Sequence, residues 1–481
     1  MDFALIGRLL GFLLVCLSLT QLPPVGICLF YGEPHWRAFV YSALVSVILG
    51  GALFFLPRPD RRELSHREGF AVAGLGWVLA CLVGALPYLF SGLLPRFVDA
   101  LFESASGFTT TGATVVSNVE ILPKGLLFWR SLTHWLGGMG IILLSVAILP
   151  LLGVGGMQLY RAEVPGPVVD RVKPRIRETA KTLWIVYVGI SALEALLLWL
   201  GPMDGLEAIC HTFGTLATGG FSTRNQSIGA YHSAYVEWVV IFFMFAAGAN
   251  FALHYQFLTG IRASYLRDPE FRFYLFLLLA GGVFVAALLI LDGKEGLPSG
   301  VRQAVFQVTS ILTTTGYTTV DYEQWPRVAQ YVLFLLMFVG GCAGSTGGGM
   351  KCVRLLLLLK QAYRAIYQHI HPHAIFAVKL GQKTVSEEVV QSVLAFSILF
   401  LAVFVLATGA LCAFGMDFRS AMASAVACLG NVGPGLGVTG PAETYGPLPQ
   451  GAKGILVFCM LLGRLELFTL VVLFIPEFWK K

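Results

Sequence analysis

Long apolar stretches alternate with short polar or basic connections along the whole chain. Each long stretch supplies about 20 apolar residues, enough for an α-helix to cross the hydrocarbon core of a bilayer. We predict ten such spans, at residues 3–29, 36–56, 70–89, 126–152, 182–200, 235–258, 271–291, 328–359, 389–413 and 455–475. An even number of spans places both chain ends on one side of the membrane.

The basic residues choose that side. Twenty of them fall in one set of loops and ends: Arg58, Arg61, Arg62, Arg67, Arg161, Arg171, Lys173, Arg175, Arg177, Lys181, Arg262, Arg267, Arg272, Arg354, Lys360, Arg364, Lys379, Lys383, Lys480 and Lys481. The opposite loops and their flanks carry ten, at Arg37, Arg96, Lys124, Arg130, Arg224, Lys294, Arg302, Arg327, Arg419 and Lys453. Cytoplasmic loops are enriched in Lys and Arg. We therefore predict a multi-pass membrane protein with both termini in the cytoplasm.

Composition agrees with lipid as the main solvent. Of 481 residues, 56% are hydrophobic and only 12% charged, about half the usual charged share. This excludes a soluble, disordered or nucleic-acid-binding protein. The nine cysteines contain no CxxC pair, and we find no nucleotide-binding glycine loop. We expect no organic cofactor and no enzymatic activity in this chain.

Four of the outer connections carry a short apolar stretch of their own. Each stretch starts at a residue suited to cap a helix N-terminus: Asp99, Asp204, Ser299 or Asp417. Each continues for ten to fifteen residues, too short to span a membrane but sufficient for a re-entrant helix. The pattern predicts four half-helices that enter from outside and stop partway.

Each predicted half-helix ends in a segment that contains glycine. The segments are Thr110, Thr111, Gly112 and Ala113; Thr218, Gly219, Gly220 and Phe221; Thr314, Thr315, Gly316 and Tyr317; and Asn431, Val432, Gly433 and Pro434. Their third residues, all glycine, are 108, 96 and 117 positions apart. A period near 100 residues indicates four copies of one module. We place these copies at 58–157, 158–260, 261–372 and 373–481, after two extra helices in 1–57.

Four copies in one chain would close around a pseudo-fourfold pore axis, in an all-α fold. Non-helical backbone at membrane depth is tolerated where it lines a cavity, and a tight ring of carbonyls holds a dehydrated cation. Aiming those carbonyls at one axis requires a residue with positive φ, which glycine adopts freely. The ligands would be neutral oxygens, including threonine hydroxyls, whereas divalent ions normally require carboxylates. The segments therefore predict a filter for a monovalent cation.

A glycine-rich string interrupts the span at 328–359. It runs from Gly340 to Gly349 and is followed by Lys351. Six glycines in ten residues cannot hold a helix in lipid unless protein or water satisfies the backbone. We interpret the string as a loop across the conduction path below the filter, formed around Gly344, Ser345, Thr346, Gly347, Gly348 and Gly349. A helix-packing face of small residues is the alternative.

Arg464 lies in the middle of the last predicted span. A charged residue there usually faces a cavity or a partner. Our hypothesis is that Arg464 faces the pore below the filter and limits flux. The alternative is a buried ion pair in which Glu466 neutralises Arg464. Residues two positions apart on one helix point in different directions, however, so this geometry directs Glu466 away from Arg464.

The four segments and the glycine-rich string resemble those of the Trk/Ktr/HKT superfamily of potassium transporters. The likeness covers nearly the whole chain, including the two extra N-terminal helices. It implies K⁺ as the transported ion, the glycine-rich loop as the gate, and a basic residue at the position of Arg464. It also implies a homodimer and a cytoplasmic ring of nucleotide-binding TrkA-type subunits. Asn431 and Pro434 depart from the pattern of the other three segments, so Na⁺ or Rb⁺ permeation stays open.

Other interpretations compete with a gated potassium pore. Glu194, His134, His211, His254 and Glu103 could form a proton relay for coupled transport, although satisfied structural groups are the simpler reading. Ser345 and His254 could mimic a serine–histidine dyad of an intramembrane enzyme. An alternating-access transporter would show two inverted repeats instead of four parallel ones. The basic stretches at 161–181 and 354–383 fit topology and lipid contact, or docking of a regulatory ring.

Overall fold

The computed structural model describes residues 1–55, 65–147, 176–261, 263–293, 296–372 and 376–480. Within them the fold is all-α apart from one small antiparallel hairpin, β1 (Lys379–Leu380) with β2 (Lys383–Thr384). The predicted boundaries at 57/58 and 157/158 lie outside the described residues. The following basic residues of the orientation argument lie outside them too: Arg58, Arg61, Arg62, Arg161, Arg171, Lys173, Arg175, Arg262, Lys294 and Lys481.

Three helices precede the repeated part of the chain: α1 (Phe3–Leu19), α2 (Leu22–Phe30) and α3 (Trp36–Phe55). Helices α1 and α3 cross where Gly11 faces Gly50. A Cβ added to Gly11 would lie 2.5 Å from the Gly50 carbonyl oxygen. The two glycines thus permit the close backbone contact that packs these helices together, as small residues do between membrane helices.

Four similar units follow, each with a long helix, a short buried helix and a second long element. The first contains α4 (His66–Phe90), α5 (Phe97–Phe108) and α6 (Lys124–Ala147), and the second α7 (Ile176–Trp199), α8 (Gly205–Leu216), α9 (Ala234–Ala247) and α10 (Phe251–Leu258). After α11 (Ser264–Arg267), the third contains α12 (Pro269–Leu291), α13 (Leu297–Leu312), α14 (Arg327–Leu336) and α15 (Cys352–Ile370). The fourth contains α16 (Glu387–Ala413), α17 (Phe418–Leu429), α18 (Gln450–Arg464) and α19 (Phe468–Val471), and α20 (Pro476–Trp479) ends the fold.

Short 3₁₀ helices stand in the connections, at Val119–Ile121, Ser227–Tyr231, Tyr322–Gln324, Gly437–Thr439 and Val472–Phe474. The first four follow the short helices α5, α8, α13 and α17 in turn. In each of the four units the chain therefore passes through a compact connection before the second long element begins.

The short helices confirm the predicted half-helices, but two of the four predicted caps are wrong. Asp204 and Asp417 accept hydrogen bonds from the backbone N–H groups of Glu207 and Ser420, as N-caps do. Helix α5 instead begins two residues before Asp99, and α13 two residues before Ser299. Pro298 favours a helix start upstream of Ser299, and the Asp99 side chain binds Lys453 and Gln450 instead of capping α5.

Three spans predicted as continuous helices are broken: residues 3–29 divide into α1 and α2, and two other spans are sharply bent. Helices α9 and α10 meet at a bend of 100°, and α18 and the turn after it at 113°. The second elements of units two, three and four are therefore all interrupted. Apolar composition alone cannot reveal such bends, since the residues on both sides face protein or lipid alike.

Within the described residues, six helices are long and apolar enough to cross a membrane, or eight segments if each bent pair counts as one. The remaining two of our ten predicted spans correspond to α6 and to α14 with α15. The chain is thus a polytopic helical membrane protein. Membrane-facing side chains such as Phe276, Val283 and Leu406 are well exposed on the surface, as a lipid solvent allows.

Ion pairs at one end of the bundle tie three short helices to the preceding unit. Arg302 on α13 pairs with Glu237 on α9 at 2.8 Å, and Arg419 on α17 pairs with Glu323 before α14 at 3.0 Å. Asp99 on α5 pairs with Lys453 on α18 at 2.6 Å, and only 2% of the Lys453 side chain is exposed. The last pair joins unit one to unit four, so the first and the last unit of the chain are in contact.

Candidate functional site

The four glycine segments share one backbone conformation. The first residue of each is left-handed, with φ of 51° at Thr110, 54° at Thr218, 61° at Thr314 and 54° at Asn431. The third is left-handed as well, with φ between 77° and 101° at Gly112, Gly220, Gly316 and Gly433. We predicted positive φ at the glycines; the threonines and the asparagine add a second such residue per segment.

Hydrogen bonds explain the left-handed first residues. The N–H of Thr111 donates to the backbone carbonyl of Ser106 in α5 at 2.9 Å. The N–H of Thr315 donates to the backbone carbonyl of Ser310 in α13 at 2.8 Å. The equivalent bonds in the other segments run from Gly219 to Gly214 and from Val432 to Ala427, both at 2.7 Å. This six-to-one bond closes a Schellman motif. One last-turn carbonyl of each short helix is therefore capped.

The four segments touch in a closed ring. A Cβ added to Gly112 would collide with the carbonyl oxygen of Gly219, and one on Gly220 with that of Thr315. A Cβ on Gly316 would meet the Val432 carbonyl oxygen, and one on Gly433 that of Thr111. Every glycine thus faces the residue that precedes the glycine of the next segment, and the fourth returns to the first. Only glycine fits this spacing at each position.

One pocket opens over the ring. It has a volume of about 130 Å³, and the four glycines of the segments all line it. Arg130 and Glu443 also line it, although Arg130 is neutralised by Glu103. The backbone of all four segments is therefore accessible from one vestibule.

Neutral oxygens dominate the segments. The hydroxyl of Thr110 and the side-chain oxygen of Asn431 are buried without a protein partner. Thr218 donates to the neighbouring Ala217 carbonyl. The described residues contain no group of three or more His, Cys, Asp or Glu that could hold a metal ion. The ring accordingly offers carbonyl, hydroxyl and amide oxygens to a cation.

The fourth residues of the segments support the ring through hydrogen bonds and packing. The Tyr317 carbonyl accepts from the Ser310 hydroxyl at 2.6 Å, and its own hydroxyl donates to the carbonyls of His211 and Phe221 at 3.0 and 3.2 Å. Phe221 stacks on His134 with ring centroids 4.1 Å apart. Tyr317 and Phe221 therefore brace the ring from behind. Ala113 is buried, and Pro434 contacts the neighbouring Gly316.

Sequence reasoning missed a further contact that supports the ring, the buried ion pair of Arg130 and Glu103. Their side chains are 2.7 Å apart and 2% and 0% exposed. Glu103 also accepts from the N–H of Val115 at 3.0 Å, and Arg130 donates to the Ser222 carbonyl at 3.2 Å. The pair thus connects the ends of segments one and two. The sequence did contain a signal for this pair, namely an arginine and a glutamate within the apolar stretches of one unit.

The glycine-rich loop (residues 340–349) lies where helix α14 has ended and α15 has not begun. Its Gly348 N–H donates to the hydroxyl of Thr314, the first residue of segment three, at 2.7 Å. A Cβ on Gly348 would meet the Gly430 carbonyl and Asn431, at the start of segment four. The predicted break is confirmed, and the loop lies directly against the end of the ring.

The bend between α9 and α10 supports the loop from unit two. The Cys342 N–H donates to the Gly248 carbonyl at 2.8 Å, and the Phe251 N–H donates to the Gly344 carbonyl at 3.1 Å. The Asn250 side chain caps α10 and lies against Gly344. The break in this helix thus exposes backbone groups that a continuous helix would have used internally.

Arg464 reaches the loop from the opposite side. It ends α18 and donates to the Thr346 carbonyl at 2.7 Å and to the Gly137 carbonyl of α6 at 2.9 Å. The prediction that Arg464 lies in the middle of a helix was wrong, since α18 ends at this residue. Glu466 pairs with Arg354 at 2.5 Å and not with Arg464. Lys351 is buried, and its ammonium donates to the Gly347 carbonyl.

The suspected proton relay does not assemble. Glu103 pairs with Arg130, while His211 contacts the Glu207 carbonyl and the Ser222 hydroxyl. His254 contacts the Tyr265 hydroxyl and the Ala246 carbonyl, and Ser345 donates to Cys342. No serine–histidine dyad therefore forms between Ser345 and His254. Glu194 and one nitrogen of His134 are buried without a partner.

Comparison with known proteins decides the family. A model of the TrkH family, described as cation transport protein, matches residues 35–481. The chain belongs to the TrkH family. It is similar to the Trk system potassium uptake protein TrkH of Escherichia coli K12, with 44% identity over the full length of both chains, and to that of Halomonas elongata, with 45% identity and the same coverage.

A solved structure supports the TrkH fold throughout. The crystal structure of the potassium transporter TrkH from Vibrio parahaemolyticus matches with a TM-score of 0.92 and 39% sequence identity, covering 100% of both chains. The relatives are membrane transport proteins, so this TrkH-family chain is a transport protein and not an enzyme.

Proposed function

We propose that this chain carries K⁺ into the cell across the inner membrane, through the ring formed by the four glycine segments. The closed order of contacts around the ring carries the proposal. Each glycine abuts the carbonyl-bearing residue before the next glycine, which brings backbone oxygens of all four segments to one narrow passage. Neutral oxygen ligands suit a monovalent cation that has lost its water. The similar proteins are potassium transporters by name.

Flux into proteoliposomes tests this function. Purified protein is reconstituted, and uptake driven by a K⁺, Rb⁺ or Na⁺ gradient is compared for wild type, Gly316→Ser and Gly409→Ser. Gly409 has open space around it, so its variant controls for the added hydroxymethyl group. We expect K⁺ and Rb⁺ to enter faster than Na⁺ in wild type and in Gly409→Ser, and this preference to disappear in Gly316→Ser. An unchanged ion preference in Gly316→Ser would refute the filter.

A less selective monovalent cation pathway is the second candidate, and segment four favours it. The Asn431 amide donates to the Thr111 hydroxyl and to the Met460 carbonyl, each at 3.0 Å. This side chain thus reaches away from the position that threonine holds in the other segments, and the ring becomes uneven. Asn431→Thr should raise the K⁺ over Na⁺ ratio if the asymmetry limits selectivity. Coupling to H⁺ or Na⁺ has no comparable support.

The glycine-rich loop is proposed to gate this pathway. It contacts Thr314 at the end of segment three and is held by Arg464 from the other side. Any ion leaving the ring on this side must pass the loop. Deleting loop residues 344–349 should therefore give flux that no longer depends on a gating partner, and equal flux before and after deletion would refute the gate.

A cytoplasmic TrkA-type ring is the proposed regulator, and the surface around α15 is its proposed docking site. Lys360, Arg364 and Lys379 line a pocket of about 350 Å³ together with Tyr363 and Phe376. Arg354, which we had included in this basic surface, is buried and paired with Glu466. Lys379→Glu with Lys383→Glu should weaken co-purification with a TrkA-type partner, whereas Arg419→Glu should not.

Homodimer formation, cytoplasmic termini and the four repeat boundaries belong to the same proposal. Mass measurement of the detergent-solubilised protein tests the dimer. Accessibility of a cysteine placed at Lys480 to an impermeant maleimide, in intact cells and in inverted vesicles, tests the orientation of the C-terminus.

A further inference from the structure

A buried carboxylate outside the site holds the glycine-rich loop. Glu270 is the second residue of α12, and only 4% of it is exposed. One of its oxygens accepts two backbone hydrogen bonds, from the N–H of Ala343 at 2.7 Å and from the N–H of Val353 at 3.0 Å. A glutamate in the first turn of a helix ordinarily faces its own N-terminus. Glu270 instead serves two segments of the same unit that follow more than 70 residues later.

The two N–H donors belong to different structural elements. Ala343 lies in the glycine-rich loop, whereas Val353 is the second residue of α15. The first N–H groups of any helix lack an acceptor within it. At the start of α15, Lys351 has a left-handed backbone and its side chain makes no capping bond. Glu270 supplies an acceptor to this helix start, and the same oxygen also fixes the loop.

Helix α15 continues away from the ring for 19 residues and carries the basic pocket around Lys360 and Arg364. Its first turn is clasped from a second direction, because Arg354 pairs with Glu466 at 2.5 Å and stacks on Phe396. A displacement of α15 must therefore move Val353 relative to the Oε1 atom of Glu270. The same oxygen also accepts the hydrogen bond from Ala343. The shared oxygen joins the movement of the helix to that of the loop.

We propose that Glu270 is a positioning residue that holds the glycine-rich loop across the pathway and couples it to α15. This inference rests on the proposed function of the loop as a gate. Hydrogen bonds to a charged acceptor are the strong ones, and buried N–H groups without an acceptor are unfavourable. Loss of the carboxylate therefore releases the loop in the absence of any partner.

The native thiol of Cys342 reports on the loop directly. It is buried, with 1% exposed, next to Ala343. Site-resolved labelling with a membrane-permeant maleimide, quantified by peptide mass spectrometry, is measured alongside basal Rb⁺ flux in proteoliposomes without partner. For Glu270→Ala we expect Cys342 labelling and basal flux to rise about tenfold, the change that about 1.4 kcal/mol in the loop equilibrium produces.

Glu68 provides a matched control. It lies in the first turn of α4, is 6% exposed, and accepts from the N–H groups of Asp2 at 2.7 Å and Ser65 at 2.8 Å. Glu68→Ala removes an equivalent carboxylate far from the loop, and it should leave Cys342 labelling and flux at wild-type values. Glu270→Gln keeps an acceptor oxygen without the charge, so intermediate labelling is expected. This variant also serves if Glu270→Ala does not fold.

Wild-type labelling of Cys342 in folded Glu270→Ala and Glu270→Gln would overturn the proposal, and so would an equal rise in Glu68→Ala. The labelling does not depend on ion conduction. Absence of flux from a variant lacking residues 344–349 would instead count against the proposed function, whatever the labelling shows. The two failures are therefore distinguishable.

Discussion

The guanidinium of Arg464 donates a 2.7 Å hydrogen bond to the carbonyl oxygen of Thr346. Its second nitrogen donates to the Gly137 carbonyl at 2.9 Å, so one side chain of unit four joins the loop of unit three to a helix of unit one. A cation at the C-terminal end of α18 also suits the helix dipole. Arg464 therefore fastens the loop by direct bonds and by charge.

Arg464→Ala should raise basal cation flux in proteoliposomes without a partner. Each lost bond to a charged donor contributes about 1.5–3 kcal/mol, so the closed position of the loop loses much of its advantage. Arg464→Lys, which replaces a two-point contact by a single ammonium, should show a smaller rise. Arg419→Ala, on the exposed rim, is the control and should conduct as wild type does. Equal flux in all four proteins would contradict this role.

Thr314 and Thr218 occupy equivalent positions, but only Thr314 touches the loop. Its hydroxyl accepts from Gly348, whereas Thr218 donates to its own neighbour Ala217. Thr314→Val and Thr218→Val remove the same oxygen from equivalent segments. We expect higher basal Rb⁺ flux in Thr314→Val alone, because only that change leaves the Gly348 N–H without its acceptor. A similar effect of both variants would mean that the threonines act through the ring and not through the loop.

The pair of Arg130 and Glu103 should be essential to stability. Glu103→Gln leaves a buried guanidinium without its counter-charge, which costs about 3–5 kcal/mol. Thermal unfolding in detergent should therefore occur at clearly lower temperature. Adding Arg130→Met to that variant should recover part of the loss, since both charges are then absent. A single variant that unfolds like wild type would show that Arg130 finds another partner.

Two of the three aspartates that we had predicted as caps, Asp417 and Asp99, should behave differently. Asp417 is a true N-cap, and Asn caps nearly as well, so Asp417→Asn should change stability little, while Asp417→Ala should cost about 1 kcal/mol. Asp99 is not a cap, but it neutralises the buried Lys453. Asp99→Asn should therefore cost several times more, about 3 kcal/mol or above. Equal unfolding temperatures for the two Asn variants would contradict this assignment.

The sequence determined the class of protein and the repeated plan. Apolar length and charge distribution require membrane helices, and four glycine segments at regular spacing identify four units. Gly112, Gly220, Gly316 and Gly433 could be singled out because positive φ and close contact leave a local mark, namely glycine. The break at 340–349 was visible for the same reason.

The tertiary structure decided which segments meet. The bends after Ala247 and Arg464 leave no glycine-rich mark, since their exposed backbone groups are satisfied by the loop and by neighbouring units. The start of α5 is not capped by Asp99, because that side chain binds Lys453 of another unit, and Pro298 lets α13 start before Ser299. The pairing of Arg130 with Glu103, and of Glu270 with Ala343 and Val353, joins residues far apart in the chain. Such contacts arise only when the helices and loops of a unit pack together, because a buried charge takes whichever partner the packing brings within reach.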